Sequence, residues 1–162
     1  MILYYTNKFM SGKSRVTDEN NKDVFKVKGW KISLTRYRKV YDTEDNLLFR
    51  VRNKFWRFFT YSAYIYDTDK KKIATIRQKV FTVPAKYLVD GYVNLTVQSN
   101  GIMKGMSVYE GDRLVGEFSR GNFMKMVDNF RINIIDEKYK EIMVALAVTM
   151  DNISDRKRKR MI

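Results

Sequence analysis

The segment from Lys138 to Met150 restricts the possible folds more than any other part of the chain. It consists mostly of good helix formers, and its apolar residues surround the predicted helix instead of forming a stripe along one face. Such a helix must be buried on every side. Its strongly apolar part, Ile142 to Met150, is about half as long as a helix that crosses a bilayer. We therefore expect a helix of about Lys138 to Ile153, ended by residues 151–155 and enclosed by the rest of the protein.

Most of the remaining chain is predicted to form short β-strands. Apolar and polar residues alternate with a period of two, for example where Phe25 and Val27 alternate with lysines, and clusters of Asp, Asn and Gly separate such runs. Many short strands at regular spacing indicate a sandwich or a barrel. A sheet closed around the helix would bury it and would leave no exposed strand edge. Besides the runs around residues 25–27, 49–54 and 61–66, the predicted strands are 31–41, 73–81, 92–99, 104–109, 114–119 and 130–135.

The turn signals recur at a spacing that suggests an internal repeat. Tyr41 and Tyr109, each followed by an acidic turn, are 68 positions apart, and Asp67 and Asp136 are 69 positions apart. Two half-domains of similar plan are predicted. Asp and Asn side chains accept hydrogen bonds from nearby backbone N–H groups, so we interpret these acidic residues first as hairpin-forming residues.

With these patterns the chain resembles the tubby C-terminal-like superfamily, most closely its LURP-one-related branch, which includes the small bacterial YxjI-like proteins. The resemblance covers about residues 2 to 153 and depends on the order of several phrases. These phrases are DVFKV at 23–27, VYDTEDNLLF at 40–49, YIYD at 64–67, IATIRQK at 73–79 and IMVALAVTMDN at 142–152.

The resemblance implies a mainly β fold, a closed twelve-stranded barrel of two related halves with the hydrophobic C-terminal helix through its centre. It corresponds to one domain over residues 1–155, followed by a basic tail over residues 156–162. Functions in the superfamily range from phosphoinositide binding in tubby proteins to calcium-linked lipid scrambling and plant pathogen responses. Because the bacterial branch has no settled activity, the fold does not determine the function.

The formal charge of +14 favours a polyanionic partner such as nucleic acid, anionic lipid or an acidic protein surface. The charge is concentrated in the first half of the chain. Residues 1–80 contain 19 Lys or Arg against 8 Asp or Glu, a net +11, whereas residues 81–162 contain 13 against 10, a net +3. Such an excess also occurs simply to keep a protein soluble.

Anionic phospholipid headgroups, including phosphoinositide-like lipids, are the leading predicted ligand. If Phe25, Val27, Phe49 and Val51 face the barrel interior, the basic residues between them project outward and form a basic outer surface. Trp56 and Phe58 are predicted to face a membrane beside that surface, with the alternative that they fill the core or close an end of the barrel. The predicted headgroup-binding residues are Lys26, Lys28, Arg36, Arg38, Arg50, Arg52, Lys54 and Arg57.

A protein or nucleic-acid partner is the alternative, supported by the sequence pI of about 9.9 and by the basic tail. The two alternatives differ in what they predict. Lipid binding requires a concentrated basic surface beside exposed aromatic residues, whereas the alternative predicts dispersed charge with Trp56 and Phe58 buried.

The chain is predicted to be a binding module, without enzymatic activity, metal or cofactor. It contains no His and no Cys, which removes Ser-His-Asp and Cys-His catalysis as well as the commonest metal ligands. The segment that begins at Asp67 resembles the start of an EF-hand loop but has Lys72 where the loop needs Gly and Gln78 where it needs Glu. The N-terminal apolar run is too short for a secretory signal, so we expect a cytoplasmic protein without a transmembrane segment, either free or peripheral at the membrane.

Overall fold

A computed structural model describes residues 1–8, 13–29, 37–54, 61–91, 94–100, 105–120 and 127–160. It contains twelve strands, followed by a 3₁₀-helix, Glu137–Tyr139, and the helix α1, Lys140–Arg160. The strands are β1 Ile2–Lys8, β2 Lys13–Thr17, β3 Asp23–Lys28, β4 Arg38–Tyr41, β5 Leu47–Asn53, β6 Ser62–Tyr66, β7 Lys72–Gln78, β8 Lys86–Gly91, β9 Leu95–Ser99, β10 Gly105–Glu110, β11 Arg113–Arg120 and β12 Val127–Ile134.

The strands form a closed antiparallel barrel in which each strand pairs with its neighbours in sequence. The last strand, β12, pairs with β1 over seven residues, from Ile2 opposite Asn133 to Lys8 opposite Val127. Closure leaves no unpaired edge among the described strands. The predicted closed twelve-stranded barrel with a C-terminal helix is therefore confirmed.

The barrel wall alternates between an apolar interior and a polar exterior. Phe25, Val27, Phe49 and Val51 are buried, as the sequence alternation predicts for β3 and β5. Several hairpins share an irregularity. The β4–β5 register shifts between Val40 and Tyr41, the β10–β11 register shifts between residues 108 and 109, and similar shifts occur in β2–β3 and β6–β7. These bulges do not distinguish two halves, so the predicted repeat stays a prediction.

Helix α1 fills the interior of the barrel. Twelve consecutive side chains, from Ile142 to Ile153, are buried, and because successive helical residues are rotated by about 100°, this part of the helix is covered on all sides. Gly116 of β11 makes room for this packing. A Cβ at this position would lie 2.3 Å from Cε of Met143 and 2.9 Å from the carbonyl oxygen of Asn133.

The helix boundaries differ from the predicted ones. The chain enters a 3₁₀ turn at Glu137 and α1 continues to Arg160, so the prediction of a helix end near Ile153 is wrong. The reason is local. Residues 154–160 contain five Arg or Lys, which are good helix formers, and neither Gly nor Pro.

Three hairpins use the same acidic turn. Oδ1 of Asp18, Asp42 and Asp67 each accepts backbone N–H groups from the second and fourth following residues, at 2.8–2.9 Å. In each turn the residue just before the fourth position has a positive φ of 60–65°. The prediction that acidic residues form hairpin turns is confirmed for Asp42 and Asp67, and Asp18 forms a third turn of the same kind, whereas Asp136 caps the 3₁₀-helix.

Several predicted strand limits also change. The predicted strand over residues 73–81 ends at Gln78, and a turn over residues 79–85 follows. Parts of the predicted strands over 31–41 and 92–99, and residue 104, lie outside the described residues.

Glu110 of β10 stabilises the start of the helical segment. Its carboxylate accepts hydrogen bonds from the Tyr139 hydroxyl and from Arg113, and Nζ of Lys138 lies 3.6 Å from Oε1. These contacts lower the pKa of Glu110 from 4.5 to about 2, and the hydrogen bond from Tyr139 makes the largest contribution. The carboxylate is therefore favoured in the folded protein more than in the unfolded chain.

This pKa shift predicts a loss of stability in acid. Because the folded pKa is below the unfolded value, the stabilisation is present above pH 4.5 and is lost as the pH falls through about 2. The thermal unfolding midpoint of the wild type should therefore fall more steeply over this window than that of Glu110→Gln, and the two should converge at the acid end. Circular dichroism at a series of pH values measures this, and parallel curves for the two proteins would contradict it.

Candidate functional site

Four basic residues form a row across four neighbouring strands on the outer barrel surface. The register places Lys13 of β2 opposite Lys28 of β3, Lys28 opposite Lys39 of β4, and Lys39 opposite Arg50 of β5. Directly opposed residues have Cβ atoms about 4.5–5.5 Å apart, and like charges in such pairs repel. The row therefore concentrates positive charge at some cost in stability.

More basic side chains surround this row. Arg15 lies opposite Lys26, and Arg52 lies opposite Tyr64 of β6. Lys54 follows the end of β5 and hydrogen-bonds through its backbone N–H to Ser62. We refer to Lys13, Arg15, Lys26, Lys28, Lys39, Arg50, Arg52 and Lys54 together as the basic face.

Acidic side chains contact several residues of the basic face, including Lys28 within the row. Asp45, in the β4–β5 turn, lies 3.1 Å from Nζ of Lys26 and 3.2 Å from Nζ of Lys28. Hydrogen bonds from Lys26 and then Lys28 hold the pKa of Asp45 below its usual value. Arg15 lies 3.9 Å from Asp23. These pairs are largely exposed to water, where ion pairs contribute little stability, so the lysines can exchange Asp45 for another anion at low cost.

The remaining cations of β4 and β5 differ in their surroundings. Within the described part of the chain, Lys39 and Arg52 form no ion pair or side-chain hydrogen bond. The guanidinium group of Arg50 already makes hydrogen bonds within the protein, because its Nη1 donates to the carbonyl oxygens of Asp67 and Thr68 at 2.6 and 2.7 Å. Lys39 and Arg52 are therefore the residues best placed to bind an external anion.

Arg38 does not belong to the basic face. It was predicted to project outward, but its exposed fraction is 0%, so that prediction is wrong. The reason is the strand register, which places Arg38 opposite Val51, an inward-facing residue of β5.

The buried Arg38 instead binds the helix. Its Nη1 lies 3.2 Å from Oδ2 of Asp151, and its Nη2 donates to Oγ of Ser14 at 2.9 Å. The Tyr5 hydroxyl accepts a hydrogen bond from Arg38 and donates one to Asp151 at 3.2 Å. Burial raises the pKa of Tyr5, and the Asp151 carboxylate raises it further. These four residues, which we call the buried polar cluster, connect β1, β2 and β4 with α1.

The other predicted site residues cannot be placed. Arg36, Arg57, Trp56 and Phe58 lie outside the described residues. Lys26, Lys28, Arg50, Arg52 and Lys54 are brought together on the outer surface, as predicted from the alternation. The predicted binding of a headgroup to them stays a prediction.

Sequence reasoning missed Lys13, Arg15 and Lys39. A signal for them was present, because Lys13 and Arg15 alternate with Ser14 and Val16, and Lys39 precedes the apolar Val40. Their position opposite other basic residues depends on the strand register, which the alternation within a single strand does not specify.

Among the described residues, no group of three or more acidic side chains is arranged to hold a metal ion. Within the same part of the chain, no helix has the length and apolar character needed to span a membrane.

Comparison with known proteins provides a family and a fold. Residues 1–151 match the family model described as LURP-one-related. An X-ray structure of a protein from Arabidopsis thaliana is similar, with a TM-score of 0.64 and 19% sequence identity, over 94% of this chain and 91% of the other. At this identity the similarity shows the fold alone. No curated protein matches the sequence.

Proposed function

The chain belongs to the LURP-one-related family, and because this membership leaves the ligand open, we propose that the protein is a non-enzymatic module that binds anionic phospholipid headgroups through its basic face. In this role it is a cytoplasmic protein that associates peripherally with anionic membranes.

The observation that carries the proposal is the row of opposed cations from Lys13 to Arg50. Like charges in opposed positions repel, and an anionic surface that contacts several of them relieves this repulsion. Each Lys or Arg close to an anionic leaflet contributes about 1 kcal/mol to binding. Several such residues together give useful affinity without a deep pocket.

The shape of the surface favours an extended anion over a single small one. Neighbouring strands lie about 4.8 Å apart, so the four-residue row spans about 14 Å across β2 to β5. A row of this width can meet several headgroups of a membrane at once. The resemblance to tubby proteins, which bind phosphoinositides, points to the same class of ligand.

Protein and nucleic-acid partners would meet the same charges. The concentration of charge on β2 to β5 supports the lipid proposal over a dispersed solubilising charge. Phe81 and Val83, in the turn that follows β7, are fully exposed. They also favour a membrane over nucleic acid, because nucleic acid presents phosphates without an apolar layer beneath them.

The test is sedimentation with vesicles of phosphatidylcholine alone or with added phosphatidylserine or phosphatidylinositol phosphate. The wild type should sediment only with the anionic vesicles. Lys39→Glu should weaken this binding by about tenfold or more, because it removes one favourable charge and adds a repulsive one. Lys39→Glu/Arg52→Glu should weaken it further. Neither residue has a partner in the described part of the chain, so both variants should remain folded.

The matched control is Arg131→Glu, which makes the same charge change at an exposed position on β12. It should bind almost as the wild type does. Equal losses for Lys39→Glu and Arg131→Glu would show that only net charge matters and would contradict the proposed site. Absence of anionic vesicle binding together with tight binding to nucleic acid would overturn the lipid proposal in favour of the alternative.

A further inference from the structure

The turn over residues 79–85, between β7 and β8, exposes a cluster of apolar side chains. Phe81 and Val83 are fully exposed, with relative exposures of 102% and 99%, and Val80 is 49% exposed. Single exposed apolar residues are common on soluble proteins, but three within four positions at one turn form a local apolar projection. Among the described residues the other exposed large apolar side chains, Met1, Tyr4 and Ile135, are not grouped within one turn in this way, so this turn requires an explanation.

The turn is held in this outward conformation. Lys79 donates its backbone N–H to Lys86 at 2.8 Å, and the Thr82 hydroxyl donates to the Lys79 carbonyl and accepts from the Lys86 N–H, both at 3.2 Å. Phe81 itself has a φ of +57°, a region that bulky L-residues rarely adopt. A closed set of hydrogen bonds thus maintains an exposed aromatic residue in a strained conformation, a combination found at sites of function.

The charges around the turn indicate which kind of surface it contacts. Residues 70–89 contain six Lys or Arg and no Asp or Glu, and one of these six, Arg77, is paired with Asp90. Lys79 and Lys86 flank the apolar tip on both sides. Apolar side chains at the tip with basic side chains at the base are the arrangement of segments that enter the headgroup region of an anionic membrane.

The turn also lies near the basic face. Lys54 hydrogen-bonds to Ser62, which is opposite Arg77, so the ends of β5 and β7 and the start of β6 lie together at the end of the barrel that carries the turn. Lys54 and Arg77 are two strand spacings apart, about 10 Å. A membrane that contacts the Arg52 and Lys54 end of the basic face can therefore also contact Phe81.

We propose that the turn over residues 79–85 is a membrane anchor that inserts Phe81 and Val83 between the headgroups of an anionic bilayer. The inference rests on the proposed lipid binding. It adds an apolar contact that electrostatic attraction alone does not provide. Binding through the basic face is weakened by salt, whereas apolar insertion is not, so the anchor supplies the part of the affinity that persists at higher ionic strength.

The experiment compares the binding of the wild type and of Phe81→Asn/Val83→Asn to vesicles of phosphatidylcholine and phosphatidylserine, at about 20 mM and about 150 mM salt. Electrostatic attraction is screened weakly at the lower concentration and more strongly at the higher one. Asn tolerates a positive φ better than Phe does, so the variant should be at least as stable as the wild type. At the higher salt concentration we expect the variant to bind about tenfold more weakly than the wild type. This is the loss that about 1.4 kcal/mol of apolar insertion represents. At low salt the loss should be smaller.

The matched control is Ile135→Asn, which removes an apolar side chain that is 51% exposed at the end of β12, on the opposite end of the barrel. It should bind as the wild type does at both salt concentrations. Suppose that the wild type binds and that Lys39→Glu weakens binding. If the double Asn variant then binds like the wild type at about 150 mM salt, the proposed membrane anchor is wrong and the proposed headgroup site stands. If the wild type does not bind anionic vesicles at either salt concentration, both proposals are wrong.

Discussion

Asp151→Ala is expected to destabilise the protein by about 3–5 kcal/mol, because it leaves the Arg38 guanidinium buried without its charged partner. Both side chains have an exposed fraction of 0%, so water cannot replace the lost contact without opening the barrel. The Tyr5 hydroxyl would also lose its acceptor. Denaturant unfolding followed by circular dichroism measures the change in the free energy of unfolding.

The double substitution Arg38→Met/Asp151→Leu distinguishes a lost ion pair from a general packing defect. It replaces both charges with apolar side chains of similar length and leaves no buried charge without a partner. We expect it to be more stable than Asp151→Ala and Asp151→Leu, since buried ion pairs can often be exchanged for apolar residues at little cost. A cost below about 1 kcal/mol for Asp151→Ala would show that Arg38 is not held as described.

Leu146→Ala is expected to destabilise the protein by about 3–5 kcal/mol, in the upper part of the range for buried leucines. Leu146 is completely buried in the middle of α1, enclosed by the barrel. The closed hydrogen-bonded wall cannot move inward easily to fill the space, so a cavity should remain. The loss in the free energy of unfolding should therefore include the full cost of that cavity. The unfolding free energy from denaturant titration checks this value.

The control for Leu146→Ala is the same substitution at Leu88, which is only partly buried on the outer side of β8. Leu88→Ala should cost about 1 kcal/mol or less, because it leaves no enclosed cavity. Similar losses at the two positions would contradict the position of α1 inside the barrel. Leu146→Met, which keeps the side-chain volume, should cost less than about 1.5 kcal/mol.

The alternation and the apolar helix predicted a mainly β protein, a sandwich or a barrel, that encloses the helix, whereas the closed twelve-stranded barrel was what the family resemblance implied. A helix without a polar face requires burial on all sides, and short alternating strands can provide it by closing around the helix. The alternation of Phe25 and Val27 in β3, and of Phe49 and Val51 in β5, identified the inner side correctly. The helix end was misplaced because the acidic and polar residues 151–155 suggested a turn, whereas the basic residues after them continue the helix.

The site was less predictable because its main features depend on contacts between distant residues. Arg38 is inside because it shares its parity with Val40 and because Asp151, 113 positions away, supplies a buried carboxylate. No local pattern indicates that partner, and Arg is normally an exposed residue. Residues 79–81, the first part of the turn over residues 79–85, were predicted as strand because Val80 and Phe81 favour strands.

The measurement that tests the central claim most directly is the environment of a fluorescent label on the basic face. The chain contains no cysteine, so one introduced cysteine labels one position. Tyr41→Cys places an environment-sensitive dye opposite Lys26 without removing a basic residue, and Thr96→Cys places it on β9, five strands around the barrel. With anionic vesicles, the label at position 41 should shift to shorter wavelength, and the label at position 96 should not. An unchanged spectrum at position 41 in protein that sediments with the vesicles, or an equal shift at position 96, would contradict headgroup binding by the basic face.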